Sequence, residues 1–173
     1  MIALNTENAR EWVSQLRAGD KILLSGIVYT ARDAAHKKIM EKLSRGEELP
    51  FDLDGAVIYY AGPTPAKNGM AIGSCGPTTS SRMDPYAPKL HELGLSATVG
   101  KGERSEGVKE ALVKYGSVYL CALGGAGALA AKCITSCEVI AFEELGCESV
   151  KRLTFKDFPL YVAMDSLGGS IFH

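Results

Sequence analysis

Three times along this chain a short apolar run gives way to a glycine-rich turn and then to a helical pattern. In the first unit Met70 to Ile72 leads into Gly73-Ser74-Cys75-Gly76-Pro77-Thr78-Thr79-Ser80-Ser81-Arg82-Met83-Asp84, and Pro85 to Leu93 follows. Asp84 is placed to cap that helix, with Pro85 at its first position and Gly94 past its end. In the second, Ser96 to Val99 runs into Gly100-Lys101-Gly102-Glu103-Arg104-Ser105 and a helix from Glu106 to Tyr115. In the third, Ser117 to Leu123 is followed by Gly124-Gly125-Ala126-Gly127 and the helix Ala128 to Lys132. Alternating strand and helix signals point to an α/β architecture. A turn of this kind exposes backbone N–H groups, and four consecutive hydroxyls and an arginine add donors, so the first turn suits an oxyanion. One such loop is equally explained as a capped turn with a solvated arginine; the recurrence is what argues for function. For the third turn, approach to a ligand and tight helix packing are both open readings.

Upstream, Asn5 to Ala18 reads as an amphipathic helix with Ala9, Trp12, Val13 and Leu16 on one face, ended by Gly19. Lys21 to Tyr29 reads as a strand. Thr30-Ala31-Arg32-Asp33 then opens a helix with Thr30 as cap, Asp33 as the acidic part of a capping box, and Ala35, Ile39 and Leu43 as its apolar stripe. Arg32 opposes the helix dipole there, at about 0.3–1 kcal/mol if exposed. That placement makes sense if Arg32 and the helix N-terminus share an anion. His36 faces the same site or packs inside.

Asp54 to Ala61 reads as a strand. Gly62-Pro63-Thr64-Pro65 is a turn, and Lys67-Asn68-Gly69 a hairpin signal leading into Met70. Lys101 stands between two glycines, which leaves it unobstructed. Ile134 to Phe142, Val150 to Phe155 and Leu160 to Met164 read as strands, with Asp165 to Gly169 as a hairpin turn, so the tail looks antiparallel.

The net charge of −1 leaves no basic footprint for a nucleic acid. No apolar run reaches the length of a membrane span, and the N-terminus carries no signal-peptide pattern, so a cytoplasmic location is expected. The five cysteines follow no disulfide-scaffold pattern. Cys133 and Cys137 stand at C-x3-C with nothing nearby to complete a metal site, so Cys121, Cys133 and Cys137 read as small core residues. Cys75, inside the first turn, reads as an accessible thiol. No linker or repeat divides the chain, so residues 1–173 are expected to form one domain, entered through an N-terminal helix in residues 1–19.

Three motifs, Tyr29-Thr30-Ala31-Arg32-Asp33-Ala34-Ala35-His36-Lys37, Gly76 to Asp84, and Gly100-Lys101-Gly102-x-Arg104-Ser105, resemble in order and spacing the β subunit, or C-terminal domain, of the iron–sulfur class I fumarate hydratases and L-tartrate dehydratases. The run from Glu144-Leu145-Gly146 to Lys156-Asp157-Phe158-Pro159 resembles the same family. The resemblance implies a swivelling β/β/α domain, with a mixed, barrel-like sheet and surrounding helices. It implies a [4Fe–4S] cluster bound by three cysteines of a partner α subunit, and no metal ligand on this chain. It implies an αβ or (αβ)2 assembly acting on a small dicarboxylate as a hydro-lyase, in the tricarboxylic acid cycle if the substrate is fumarate.

By that resemblance Arg32 and Arg82 match arginines that grip substrate carboxylates, and Lys101 a lysine that also contacts them. Thr78 matches the proposed catalytic base. Thr79 and Gly76 shape the pocket, while Asp33, His36, Asp84 and Arg104 support it. Fumarate hydration is the leading expectation and tartrate dehydration its nearest rival. A stand-alone anion-binding module is an alternative of another class, weakened by the absence of G-x-x-x-x-G-K-[ST]. A plain interaction scaffold leaves the cationic loops unexplained.

Overall fold

The computed structural model describes residues 1–122 and 127–172. The strands are β1 (Ile2–Asn5), β2 (Lys21–Thr30), β3 (Val57–Tyr59), β4 (Ala97–Gly100), β5 (Val118–Cys121), β6 (Ile134–Ala141) and β7 (Val150–Met164). The helices are α1 (Ala9–Trp12), α2 (Asp33–Ser44), α3 (Ala87–Glu92), α4 (Glu106–Tyr115) and α5 (Gly127–Lys132). Strands β2, β3, β4 and β5 are parallel neighbours. Strand β7 runs antiparallel to both β5 and β2 and so closes a five-stranded barrel. Strand β1 extends β2 in parallel, and β6 extends β7.

Alternation along the short strands sorts two cores. Val57, Tyr59, Val99, Val118 and Leu120 point inward with Phe155 and Phe158. Ile58 and Tyr60 point outward under α2 and α3, with Ala35, Ile39, Met83 and Leu90. Tyr119 and Cys121 face α4 through Val108 and Leu112. The period-2 pattern of each strand thus serves a filled barrel on one side and a helical layer on the other.

Several sequence expectations need correction. The tail strands expected over Val150 to Phe155 and Leu160 to Met164 are one strand, β7. Leu24 pairs Phe158 and Gly26 pairs Phe155, so Ser25 alone opposes two residues of β7. Asp157 absorbs the bulge at φ 48°, and its N–H donates to Ser25 Oγ at 2.9 Å. The expected N-terminal helix opens instead as β1 and shortens to α1, because Ile2–Asn5 find partners in Ile22–Ser25. Its apolar face is nevertheless as expected: Ala9, Trp12, Val13 and Leu16 are all buried.

Met70 to Ile72 form no strand. The loop closes on itself through Thr64, whose N–H donates to Ser74 O and whose carbonyl accepts from Gly73 N–H. The strand expected over Asp54 to Ala61 is confined to β3: Gly55 turns at φ 82° before it, and the Ala61 N–H turns back to Tyr59 O after it. The expected turn Gly124 to Ala126, and Leu123 before it, lie outside the described residues.

Candidate active site

The motif residues gather along the carboxyl ends of the parallel strands, where open or closed α/β sheets offer loops to ligands. Arg32 follows β2, Thr78 is tied to the end of β3, and Lys101 follows β4. The Thr78 N–H donates to Tyr60 O at 2.7 Å. Thr79 and Lys101 form a parallel β-bridge, and the Ser80 N–H donates to Lys101 O at 2.9 Å. The side chain of Arg82 reaches the first motif: its Nη2 donates to Asp33 Oδ2 at 2.6 Å and its Nε to Oδ1 at 3.4 Å. Arg32 lies against Gly62, where an added Cβ would stand 2.7 Å from its Nη1. Arg32 Nε is buried, with no hydrogen-bond partner among the described residues. The three motifs therefore make one ridge, on which Thr79 and Lys101 are exposed and the Arg82 side chain is half exposed.

The N-terminus of α2 is arranged differently from the capping box. Thr30 is the last residue of β2. Its Oγ1 accepts the Lys151 N–H at 3.0 Å and so joins β2 to β7. Arg32 occupies the cap position with no side-chain cap. The anion at this helix end is the protein's own Glu148, whose Oε1 accepts the Ala34 N–H at 3.3 Å. Sequence spacing could not reveal a partner 114 residues away. Lys151, also unforeseen, braces that turn: its buried ammonium lies 2.7 Å from Ser149 Oγ and 3.2 Å from both Cys147 O and Ser149 O.

Asp84 does not cap a helix beginning at Pro85. Ser80–Met83 form a 3-10 turn, and α3 starts at Ala87. Asp84 instead accepts from Arg104 Nε at 2.6 Å and from the Ser105 N–H at 2.7 Å. The Arg104 side chain is 0% exposed. Its Nη1 donates to Thr98 Oγ1 at 3.2 Å and its Nη2 to Tyr60 Oη at 3.1 Å. Its guanidinium carbon lies 5.1 Å from the Tyr60 ring centre and 4.7 Å from that of Tyr119. Tyr60 and Tyr119 carried no sequence signal beyond their outward phase in β-strand alternation.

His36 packs inside and does not face the ridge. Its Nδ1–H donates to Arg32 O at 2.8 Å, a carbonyl that can only accept, so Nε2 is the bare nitrogen. Burial drives its pKa down to about 4, with the Arg104 charge adding to the effect. Cys75 is also buried rather than accessible: the Tyr59 hydroxyl, inside the barrel, donates to Cys75 O at 2.5 Å and pins the turn to the core. Burial, reinforced by Cys137, pushes its thiol up to about 12. Gly76 is sterically relaxed, since an added Cβ would meet Gly127 Cα at 3.5 Å.

The described residues do not suit an iron–sulfur cluster. No three His, Cys, Asp or Glu side chains among them converge on a common point. No helix among them is long and apolar enough to cross a membrane.

A family model described as Fumarase C-terminus matches residues 1–173. The chain is 40% identical over 168 residues to Fumarate hydratase 2 of Leishmania major, covering 96% of this chain and 30% of that protein. It is 39% identical over 162 residues to the aerobic class I fumarate hydratase of Salmonella typhimurium, covering 92% of this chain and 28% of that protein. A Methanocaldococcus jannaschii protein named as a candidate L(+)-tartrate dehydratase subunit beta is 44% identical over 166 residues, covering 92% of this chain and 85% of that one. The chain thus spans about 30% of the length of the fumarate hydratases but most of the separate subunit. Matched from end to end, with its three loop motifs drawn onto one ridge, the chain belongs to the Fumarase C-terminus family.

Proposed function

We propose that this chain is the β subunit of a two-subunit iron–sulfur hydro-lyase, most simply one that interconverts fumarate and L-malate. The observation that carries this reading is the ridge on which Asp33, next to Arg32, binds Arg82, and on which the Thr79–Lys101 bridge joins the Thr78 turn to the lysine loop. A dianionic acid needs cations at both ends, and two guanidiniums and an ammonium meet that need. Asp33 occupies the Nε and Nη2 side of Arg82, which leaves Nη1 to the substrate.

Thr78 takes the proton from the carbon next to a carboxylate. Negative charge then builds on that carboxylate, and cations already in place stabilise it without reorganising. The hydroxyl is a weak base by itself, so the same cations must favour its ionised form. On this reading the [4Fe–4S] cluster would be held by the α subunit, as the family resemblance implies, and would supply a Lewis acid there. The partner also covers the ridge, since Lys101, Thr79 and Arg82 stand open to solvent here and cations shielded from bulk solvent act more strongly on the substrate's charge.

Tartrate dehydration is the second reading, favoured by the length match and 44% identity to the M. jannaschii chain. Either way the expected location is the cytoplasm. The test is anaerobic co-purification with a cluster-bearing α chain, followed by assays on fumarate, L-malate and tartrate. The complex should turn over one of these, and the chain alone none. A cluster-loaded αβ complex inactive on all three would overturn the proposal.

A further inference from the structure

We infer that Arg104 is a positioning residue of this site, acting through Lys101. The inference rests on the dicarboxylate reading above. Arg104 cannot touch a substrate itself: its side chain is fully buried and lies between two tyrosine rings. Burying a guanidinium is costly, and an apolar side chain would fill the space more cheaply if packing were the only need. What the guanidinium provides is three directed bonds into three segments that carry the ridge. Nε holds Asp84 at the end of the Thr78–Met83 turn. Nη2 holds Tyr60, whose carbonyl receives the Thr78 N–H. Nη1 holds Thr98 in β4, three residues before Lys101.

The same group closes the lysine loop from its other side. Asp84 Oδ2 accepts the Ser105 N–H, so the loop is fastened four residues after Lys101. The Tyr119 ring packs on Arg104, and its hydroxyl lies 2.7 Å from Gly102 O and 2.8 Å from Ser80 Oγ. The carbonyl can only accept, so the phenolic proton goes there and Ser80 donates back to the phenol. Ser80 Oγ in turn accepts the Lys101 N–H at 3.0 Å. Lys101 is thereby held at its own N–H and at Gly102, the residue after it. A displacement of about 1 Å in such a group is enough to cost roughly 100-fold in rate.

The test is a double-mutant cycle on the assembled αβ complex, with Arg104→Lys measured in the wild-type and Lys101→Ala backgrounds. Lysine keeps the charge but loses the planar fork. Arg104→Lys alone should lower kcat/KM about 100-fold, mostly through KM, because the lysine contacts a carboxylate already in the ground state. In the Lys101→Ala background the same change should cost at least about 10-fold less, since the lysine it positions is gone and only its hold on the Thr78 turn through Tyr60 and Asp84 remains. Equal losses in both backgrounds would make Arg104 plain framework and overturn the inference. Should Arg104→Lys not assemble, Asp84→Asn run through the same cycle distinguishes the two outcomes. Should the wild-type complex show no turnover, L-malate titration calorimetry reads the same cycle as binding; failure of the wild type to bind would sink the inference along with the function.

Discussion

Lowering the pH from 7 to 5 should cost this chain about 4 kcal/mol of folding stability through two buried histidines. His36 and His91 are both buried, and burial lowers each pKa from an ordinary 6.5 to about 4. Each keeps one nitrogen bonded to a carbonyl, Arg32 O for His36 and Leu95 O for His91. The other nitrogen of each is buried without a partner among the described residues. Arg104 opposes protonation of both, and Asp33 favours it only at His36. A lowered folded-state pKa means that the unfolded chain binds more protons between pH 6.5 and 4. Stability therefore falls as pH drops through that window, is unaffected above it, and stops falling below it. At pH 5 each unfolded histidine is almost fully charged and each folded one almost neutral, which amounts to about 2 kcal/mol apiece relative to pH 7. Urea unfolding at pH 7, 6 and 5 measures the loss directly. His91→Asn keeps a donor at the Nδ1 position for Leu95 O and cannot titrate, so its pH dependence should be about half that of the wild type. A stability that is flat from pH 7 to 5, or that falls only below pH 4, would refute the assignment of both rings as neutral and desolvated.

Thr78→Ala should lower kcat at least 100-fold with little change in KM, whereas Arg82→Ala should act mainly on KM; steady-state kinetics of the αβ complex separate the two. Wild-type kinetics in both would remove the site assignment. Gly100→Ala should destabilise the chain by about 1–3 kcal/mol, because its Cβ would overlap Ser80 Oγ. Adding Ser80→Ala removes that oxygen but leaves Tyr60 Cδ2 at 3.0 Å and Ser80 Cβ at 3.3 Å and takes the acceptor from the Lys101 N–H, so the double variant should recover only part of the urea midpoint that Gly100→Ala loses.

What could be read ahead from the sequence was what is settled within a few residues. Helix α4 matches its expected span because both ends are local chemistry: Ser105 Oγ accepts the Val108 N–H, and Gly116 takes the left-handed conformation at φ 72°. Asp84 and Thr30 have equally good capping residue types, yet neither caps a helix. A guanidinium 20 residues on claims Asp84, and a backbone N–H 121 residues on claims Thr30. Barrel closure was legible only through family resemblance, since it depends on the pairing of β7 with both β2 and β5 and on a bulge that no local pattern marks.

The same division sorts the arginines, which the sequence presents as equals in three similar motifs. Arg104 is buried, its bonds are all internal, and its charge is matched by Asp84, so it has nothing to offer a ligand. Arg82 is half exposed and held by a carboxylate that water also reaches, a pairing that a stronger anion can share. Arg32 has a buried Nε with no acceptor among the described residues, a desolvation cost that the folded chain alone does not recover. A carboxylate meeting the half-buried Arg32 would have no bond at Nε to break, whereas one arriving at Arg104 would have to break three bonds first. On the proposed reading, availability of the guanidinium, rather than the motif around it, is what separates a substrate contact from a brace.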